Sequence, residues 1–380
     1  MKKVCFVSTI DMPVKTFLLE HLRAMSHRYE VAVAVNTADA NFLAASGLNI
    51  AVYPIAIERK VSPLRDLRAL AQLVSLFRRN RFDVVHSIMP KSGLLSMLAA
   101  RIARVPHRIH TFTGQVWATH RGLGRWFLRC MDLVLVDCAT HILVDSRSQR
   151  EFLVREGVVS AEKAIVLANG SVCGVNLKRF HADSALGAEV RRDLGIPAGD
   201  IVFIFLGRLK LDKGVLDLAR AFARLCNNRA DVSLLLVGPD EDCLRLKILE
   251  ACDLHKDKVY FQGYTDAPER YMTAADAICL PSYREGFGIA IIEAAAVGLP
   301  AIGTRIYGLA DAIVDGVTGF LCQPRDVDAL MYLMGRFAED PELRRSHGER
   351  ARERAMRDFS SETVVAAQLK FYRSLLQDGD

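Results

Sequence analysis

Glu285 and Glu293 stand eight residues apart in Pro281-Ser282-Tyr283-Arg284-Glu285-Gly286-Phe287-Gly288-Ile289-Ala290-Ile291-Ile292-Glu293. The short apolar run 277–280 reads as a buried strand that ends at Pro281. The stretch 289–297, rich in Ala and Ile, reads as a buried helix. Glu285 is therefore expected in the crevice at a strand's carboxyl end, where open α/β sheets take ligands. Glu293 falls about one and a half turns into the helix, roughly 7 Å further along. Gly286 and Gly288 let backbone N–H groups approach a ligand closely, and the helix N-terminus favours anions. Two acceptors for hydroxyls and a seat for phosphate on one loop suit a nucleotide sugar. Glutamates at this spacing also occur on solvated helix faces. The apolar neighbours of Glu293 oppose that reading, because a carboxylate buried without partners is costly.

A second loop carries cations. The strand-like run 201–206 leads into Gly207-Arg208-Leu209-Lys210-Leu211-Asp212-Lys213-Gly214, and a helix is expected over 215–225. This is not a P-loop, which needs Gly before the Lys and Ser or Thr after it. Arg208 and Lys213 on one strand-to-helix loop could neutralise a diphosphate without a metal. A solvated basic loop is the alternative.

Together the two loops resemble the retaining family 4 glycosyltransferases of the GT-B fold. The resemblance continues through Leu235-Leu236-Val237-Gly238, Phe261-Gln262-Gly263-Tyr264, Ala275-Asp276, Gly298-Leu299-Pro300-Ala301-Ile302 and Asp315-Gly316-Val317-Thr318-Gly319-Phe320-Leu321. Asn169-Gly170-Ser171, Gly174-Val175-Asn176 and Arg179-Phe180 are similar to that family's interdomain link. The second half of the chain is covered almost end to end. The first half matches through its α/β alternation and His110-Thr111-Phe112-Thr113-Gly114. It departs after the first strand, where Thr9-Ile10-Asp11-Met12-Pro13 carries no glycine.

The resemblance implies two doubly wound, Rossmann-like α/β domains facing a central cleft. Residues 1–172 would hold the acceptor and 173–359 the nucleotide sugar, with the helix in 360–380 crossing back to the first domain. It implies Glu293 on the ribose hydroxyls, Arg208 and Lys213 on the departing diphosphate, and Glu285 facing the donor sugar. The backbone N–H groups of Gly286, Phe287 and Gly288 would hold sugar and phosphate. His110, read at the end of the strand-like run 108–110, would face the cleft. No metal and no other cofactor is expected. The implied acceptor is a polyprenyl-diphosphate-linked glycan for cell-surface polysaccharide, lipopolysaccharide included. A nucleotide-sugar 2-epimerase of the same fold, or a non-catalytic carbohydrate- or lipid-binding subunit, are the alternatives.

Strand-like runs recur at 4–8, 31–35, 50–54, 84–87, 108–112, 142–144 and 164–167, then at 202–206, 233–237, 259–261, 277–280, 301–302 and 319–321. Two such series with helices between them predict two parallel sheets. A chain of 380 residues suits two domains. The nine cysteines are scattered and form no C-x-x-C pair, which predicts reduced thiols. Asp326-Val327-Asp328 spells a metal-binding pattern, but it opens a helix and reads as its cap. No zinc-finger or RNP-like motif points to nucleic acid.

The charge is uneven. Residues 1–176 hold 23 Lys and Arg against 13 Asp and Glu, a net of +10, and the remainder holds 27 against 31. Arg59, Lys60, Arg65, Arg68, Arg78, Arg79 and Arg81 cluster around a helix expected over 64–77, whose Leu67, Leu70, Ala71, Val74 and Phe77 form a stripe. The stripe is expected to pack on its own sheet, while the charge suggests an anionic membrane surface. No signal peptide is read at the start, and the protein is expected in the cytoplasm or peripheral on the inner face of its membrane. The stretch 126–144 is too interrupted by charge to span a bilayer and reads as a buried helix followed by a strand.

Overall fold

The computed structural model describes residues 1–59 and 62–376; Lys60 of the basic cluster and the last four residues of the expected terminal helix lie outside them. The chain forms two compact units, Met1–Cys173 with Ser361–Asp380, and Gly174–Ser360.

The first unit is built on seven parallel strands: β1 (Lys3–Ile10), β2 (Glu30–Asn36), β3 (Ala51–Pro54), β4 (Val84–Ile88), β5 (His107–Phe112), β6 (His141–Val144) and β7 (Ala164–Val166). Their order is β3-β2-β1-β4-β5-β6-β7. Burial on both faces explains why β1 and β2 carry apolar runs without alternation, residues 4–7 and 31–35. Along β1, Val4 and Phe6 enter one core layer, while Cys5 and Val7 enter the other, as a period of two requires. The connections from β3 to β4, β4 to β5 and β5 to β6 all step the same way across the sheet. Right-handed crossovers put their helices on one face: Pro63–Asn80, Pro90–Ile102 and Gly122–Cys138 pack side by side there. The opposite face takes Leu19–Ser26 and the terminal helix Ser361–Leu376. Tyr372 of that helix is fully buried, and its hydroxyl meets His86 Nδ1 at 2.7 Å. The other ring nitrogen of His86 meets Thr111 Oγ1 at 2.7 Å. A chain segment more than 280 residues away in sequence is thus tied to β4.

The second unit has six parallel strands: β8 (Ile201–Leu206), β9 (Val232–Val237), β10 (Val259–Gln262), β11 (Ala277–Leu280), β12 (Ala301–Thr304) and β13 (Gly319–Cys322). Their order is β10-β9-β8-β11-β12-β13. Strands β8 to β10 run outward one way and β11 to β13 the other. The direction reverses between β8 and β11, whose Phe203 and Ile204 pair with Ala277 and Ile278. Open parallel sheets bind ligands at such a switch point, outside the carboxyl ends of the strands. The chain enters and leaves this unit side by side, since Val175 N–H donates to Phe359 O at 2.8 Å.

Two helix expectations need correction. In Gly122–Cys138, Trp126 is 62% and Phe127 49% exposed, so the helix is not buried; only Asp132, Leu135, Val136 and Cys138 are. In Pro63–Asn80 the buried face is Ala69, Leu73 and Phe77, and Leu67 of the expected stripe is exposed. The sequence placed the apolar stripe about a third of a turn off. All nine cysteines are free thiols.

Candidate active site

The loops that follow β8 and β11 flank the switch point of the second unit. They interlock through glycine. Gly214 has φ +68° and would bring a Cβ to 2.0 Å from Pro281 O. No side chain fits there, so the cationic loop lies directly on the start of the acidic one. Tyr283 N–H donates to Asp212 O at 2.8 Å, and the Arg284 guanidinium donates to Asp212 Oδ2 at 3.0 Å. Tyr283 O–H donates to Asp217 Oδ2 at 2.5 Å, while Arg325 covers its ring at 4.7 Å. Burial, with the Asp217 hydrogen bond, pushes the Tyr283 phenol up to about 12.

This latch brings Lys213 to Glu285. Lys213 Nζ lies 2.6 Å from Glu285 Oε1, and both side chains are mostly buried. Ser282 O–H donates to the same oxygen at 2.8 Å, and Thr304 O–H donates to Ser282 O. The pair was read from sequence as two residues with separate tasks; here one neutralises the other. Arg208 does not join them. Its guanidinium donates to Glu241 Oε2 at 3.1 Å, and Lys210 lies 3.6 Å from the same carboxylate and 3.8 Å from Asp242. Sequence reading missed Glu241, Ser282 and Asp212. The acidic run Asp240-Glu241-Asp242 after β9 was the available signal, because consecutive parallel strands usually pair.

Gly288, at φ +89°, caps the helix Ile289–Val297, which has no side-chain cap. Ile291 N–H turns back to Gly288 O at 2.9 Å, which leaves the N–H groups of Ile289 and Ala290 as donors, a few residues along the chain from Glu285. Phe287 is buried and packs edge-on against Phe359 at 5.1 Å. Its ring anchors the loop, leaving its backbone N–H for any ligand. The loop also rests on its neighbour, since a Cβ on Gly308 would stand 2.5 Å from Gly286 O.

Glu293 lies on the same helix, half-buried. Burial raises its carboxyl to about 7, opposed by the charge of Arg179 and assisted by that of Glu269. Those two residues pair with each other, Arg179 Nε donating to Glu269 Oε2 at 2.8 Å. The Glu293 carboxylate forms no hydrogen bond among the described residues. Asp326 accepts from Ala329 N–H at 2.9 Å and caps the helix Val327–Glu339. Asp328 pairs with Arg224.

His110 belongs to the first unit. It sits inside β5, two residues before its end rather than at it, and is fully buried. Nδ1 lies 2.8 Å from Ser87 Oγ, and Nε2 has no partner among the described residues. A Cβ on Gly93 would lie 2.4 Å from the ring, so the imidazole packs directly against the backbone there. Burial lowers it to about 3, which keeps it neutral.

The chain matches the sequence model for glycosyl transferases group 1 over residues 188–354 and that for a glycosyl transferase 4-like domain over residues 16–170. It is 27% identical over 333 residues to the capsular polysaccharide biosynthesis glycosyltransferase CapM of Staphylococcus aureus, covering 87% of each chain. It is 28% identical over 289 residues, 75% of this chain and 74% of the relative, to the UDP-Gal:alpha-D-GlcNAc-diphosphoundecaprenol alpha-1,3-galactosyltransferase of Escherichia coli. The crystal structure of Anabaena Alr3699/HepE in complex with UDP and glucose aligns with a TM-score of 0.83 at 20% identity, over 98% of this chain and 100% of that one. That likeness speaks for the fold alone. Two parallel-sheet units, each matched by its own sequence model, and a switch point that holds the paired loops identify the chain as a family 4 glycosyltransferase of the GT-B fold.

Proposed function

We propose that this glycosyltransferase moves a sugar from a nucleoside diphosphate sugar to a lipid-linked glycan, with retention of anomeric configuration and without a metal. The observation that carries the reading is the Lys213–Glu285 pair, 2.6 Å apart, on the loop that leads into the N-terminus of Ile289–Val297, which has no side-chain cap. A diphosphate seated on that helix end would draw Lys213 toward it and release Glu285 to the sugar hydroxyls. Positive charge placed where a leaving group gains negative charge lowers the barrier to departure. Arg208, freed from Glu241, would add to it. In the step itself the bond from anomeric carbon to phosphate oxygen breaks and the bond to the acceptor oxygen forms on the same face. The acceptor's proton passes to the leaving phosphate. Glu293 would take the ribose hydroxyls, and the neutral His110 would shape the acceptor side.

The diphosphoundecaprenol acceptor in the name of the Escherichia coli relative supports a lipid diphosphate acceptor. The UDP-Gal in the name of the same relative supports a UDP-sugar donor. The basic first 176 residues support contact with the inner face of the cytoplasmic membrane. No helix among the described residues is long and apolar enough to cross a membrane. Incubating the protein with UDP-sugars and a polyprenyl-diphosphate glycan, then assigning the new linkage by NMR, tests the reading. An inverted linkage, or free epimerised nucleotide sugar as the product, would overturn it.

A further inference from the structure

Asp145 is a buried carboxyl that the fold leaves unpaired. It follows β6 directly and is only 4% exposed, and its Oδ1 meets no hydrogen-bond partner among the described residues. Its own peptide groups, by contrast, are fixed. The N–H donates to Gln149 Oε1 at 2.7 Å, and the C=O accepts from Ser171 N–H at 2.6 Å. Gln149, itself fully buried, reaches Gln115 Oε1 through Nε2 at 3.4 Å. Gln115 and Ser171 belong to the loops that follow β5 and β7. The loops after three neighbouring strands thus converge on one carboxyl, at the end of the sheet where open parallel sheets take ligands.

The first unit gains nothing from this carboxyl. Burying a polar group without partners is costly, and such a group calls for an explanation. Asp145 caps no helix: Ser146 does that for Arg147–Arg155, accepting from Gln149 N–H at 3.1 Å. No cation pairs with it, and burial alone pushes the carboxyl up to about 8, so it keeps its proton at neutral pH. A protonated carboxyl donates and accepts at once, as do the two carboxamides beside it. A hydroxyl has the same double character. A cation would need the ionised form. A metal would need further ligands, and no group of three His, Cys, Asp or Glu that could hold one occurs among the described residues.

We propose that Asp145 is a specificity-determining residue on the acceptor side, its carboxyl hydrogen-bonding one hydroxyl of the acceptor glycan while Gln149 and Ser171 hold its backbone. The donor's hydroxyls are already matched by Glu285 and Glu293 of the second unit, which leaves those of the acceptor for the first. The inference rests on the glycan-acceptor reading, and the two fail separately. If prenyl-diphosphate sugars are used but no hydroxyl is coupled to Asp145, the role of Asp145 is refuted and the acceptor reading stands. If a lipid-free glycoside alone is used and one of its hydroxyls is coupled to Asp145, the lipid-linked reading is refuted and the role of Asp145 stands.

The experiment measures transfer from UDP-sugars to short-prenyl diphosphates carrying N-acetylglucosamine, N-acetylgalactosamine, glucose or galactose, to the matching lipid-free glycosides, and to forms of each lacking one hydroxyl. The wild type should lose about 10–100-fold in kcat/KM on one deoxy form. Asp145→Leu should lose about as much on the intact acceptor, through a raised acceptor KM, and nothing further on that deoxy form. Its affinity for UDP should not change. Asp145→Asn keeps the shape and one acceptor oxygen, and should recover part of the loss. Both variants should melt no lower than the wild type, because they remove a carboxyl that has no partner. An unchanged acceptor KM in Asp145→Leu overturns the proposal, as does an equal further loss on every deoxy form. Melting decides even without a productive acceptor: Asp145→Asn unfolding well below the wild type would make the carboxyl a structural group and overturn its role in recognition.

Discussion

Lys213 Nζ and Glu285 Oε1 stand 2.6 Å apart, with only 15% and 13% of their side chains exposed. Each is the other's main neutralising partner in the unliganded site. Binding a diphosphate must therefore exchange one ion pair for another, which favours a ligand carrying both an anion for Lys213 and hydroxyls for Glu285.

Removing one member should separate stability from activity. Lys213→Ala leaves Glu285 in a low-dielectric site with Ser282 alone, and should cost about 1–3 kcal/mol of folding stability. The Lys213→Met, Glu285→Gln double variant should regain most of that, since neither charge remains. Turnover should fall roughly 10²–10³-fold in Lys213→Ala and should not return in the double variant. Thermal melts and initial rates on the three proteins check this. A double variant as unstable as the single one would mean that the pair is not the source of the loss.

Arg208 is held by Glu241 at 3.1 Å, with both about a third exposed. The pair is thus worth little to stability but withholds a cation. Glu241→Gln should leave melting unchanged and tighten UDP binding a few-fold, while Arg208→Ala weakens it and lowers turnover about 10²-fold. Calorimetric titration with UDP measures both. If Glu241→Gln weakens binding instead, the carboxylate is orienting Arg208 rather than competing with the phosphates.

In the proposed reaction Lys213, Arg208 and the helix end at Gly288 would together supply positive charge at the leaving group. Transfer should therefore persist in excess EDTA at a rate within about twofold of the untreated enzyme. Abolition by EDTA with rescue by Mn²⁺ would instead require a metal at the diphosphate.

The two-sheet architecture was legible because strand-like runs and helical stretches alternate without interruption, and alternation dictates parallel pairing. Glu285 and Glu293 were legible because carboxylates in an apolar strand-loop-helix context are rare. The Lys213–Glu285 contact was not, since nothing local says that β8 and β11 are neighbours. It needs the reversal of strand order, a property of the whole second unit. The strand-like run 108–112, completed by the good strand formers Thr111 and Phe112, matches β5 and puts His110 inside the strand, whereas the shorter run 108–110 puts it at the end. The exposed face of Gly122–Cys138 was hidden for another reason. Leu123, Trp126, Phe127 and Val134 are as apolar as the residues the core takes, so composition alone implied burial.

Glu293 gives a pH signature. Burial raises its carboxyl to about 7 from an ordinary 4.5, so the folded protein holds a proton there that the unfolded chain has lost. Stability should then fall as pH rises from about 4.5 to about 7 and level off above. The loss is on the order of 1–3 kcal/mol, because the residue is only half-buried. Donor binding should move the other way. Ribose hydroxyls donating to the carboxylate favour its ionised form, so affinity for a UDP-sugar should rise through the same window and plateau above pH 7. The diphosphate of a UDP-sugar has no group that titrates there, so the slope belongs to the protein. Glu293→Gln should flatten both profiles, raise stability at pH 8 and weaken donor binding by about 1.5–3 kcal/mol. Melting temperatures and calorimetric affinities between pH 5.5 and 8.5 check this. If donor affinity keeps the same slope in Glu293→Gln, another group binds the proton and Glu293 does not hold the ribose.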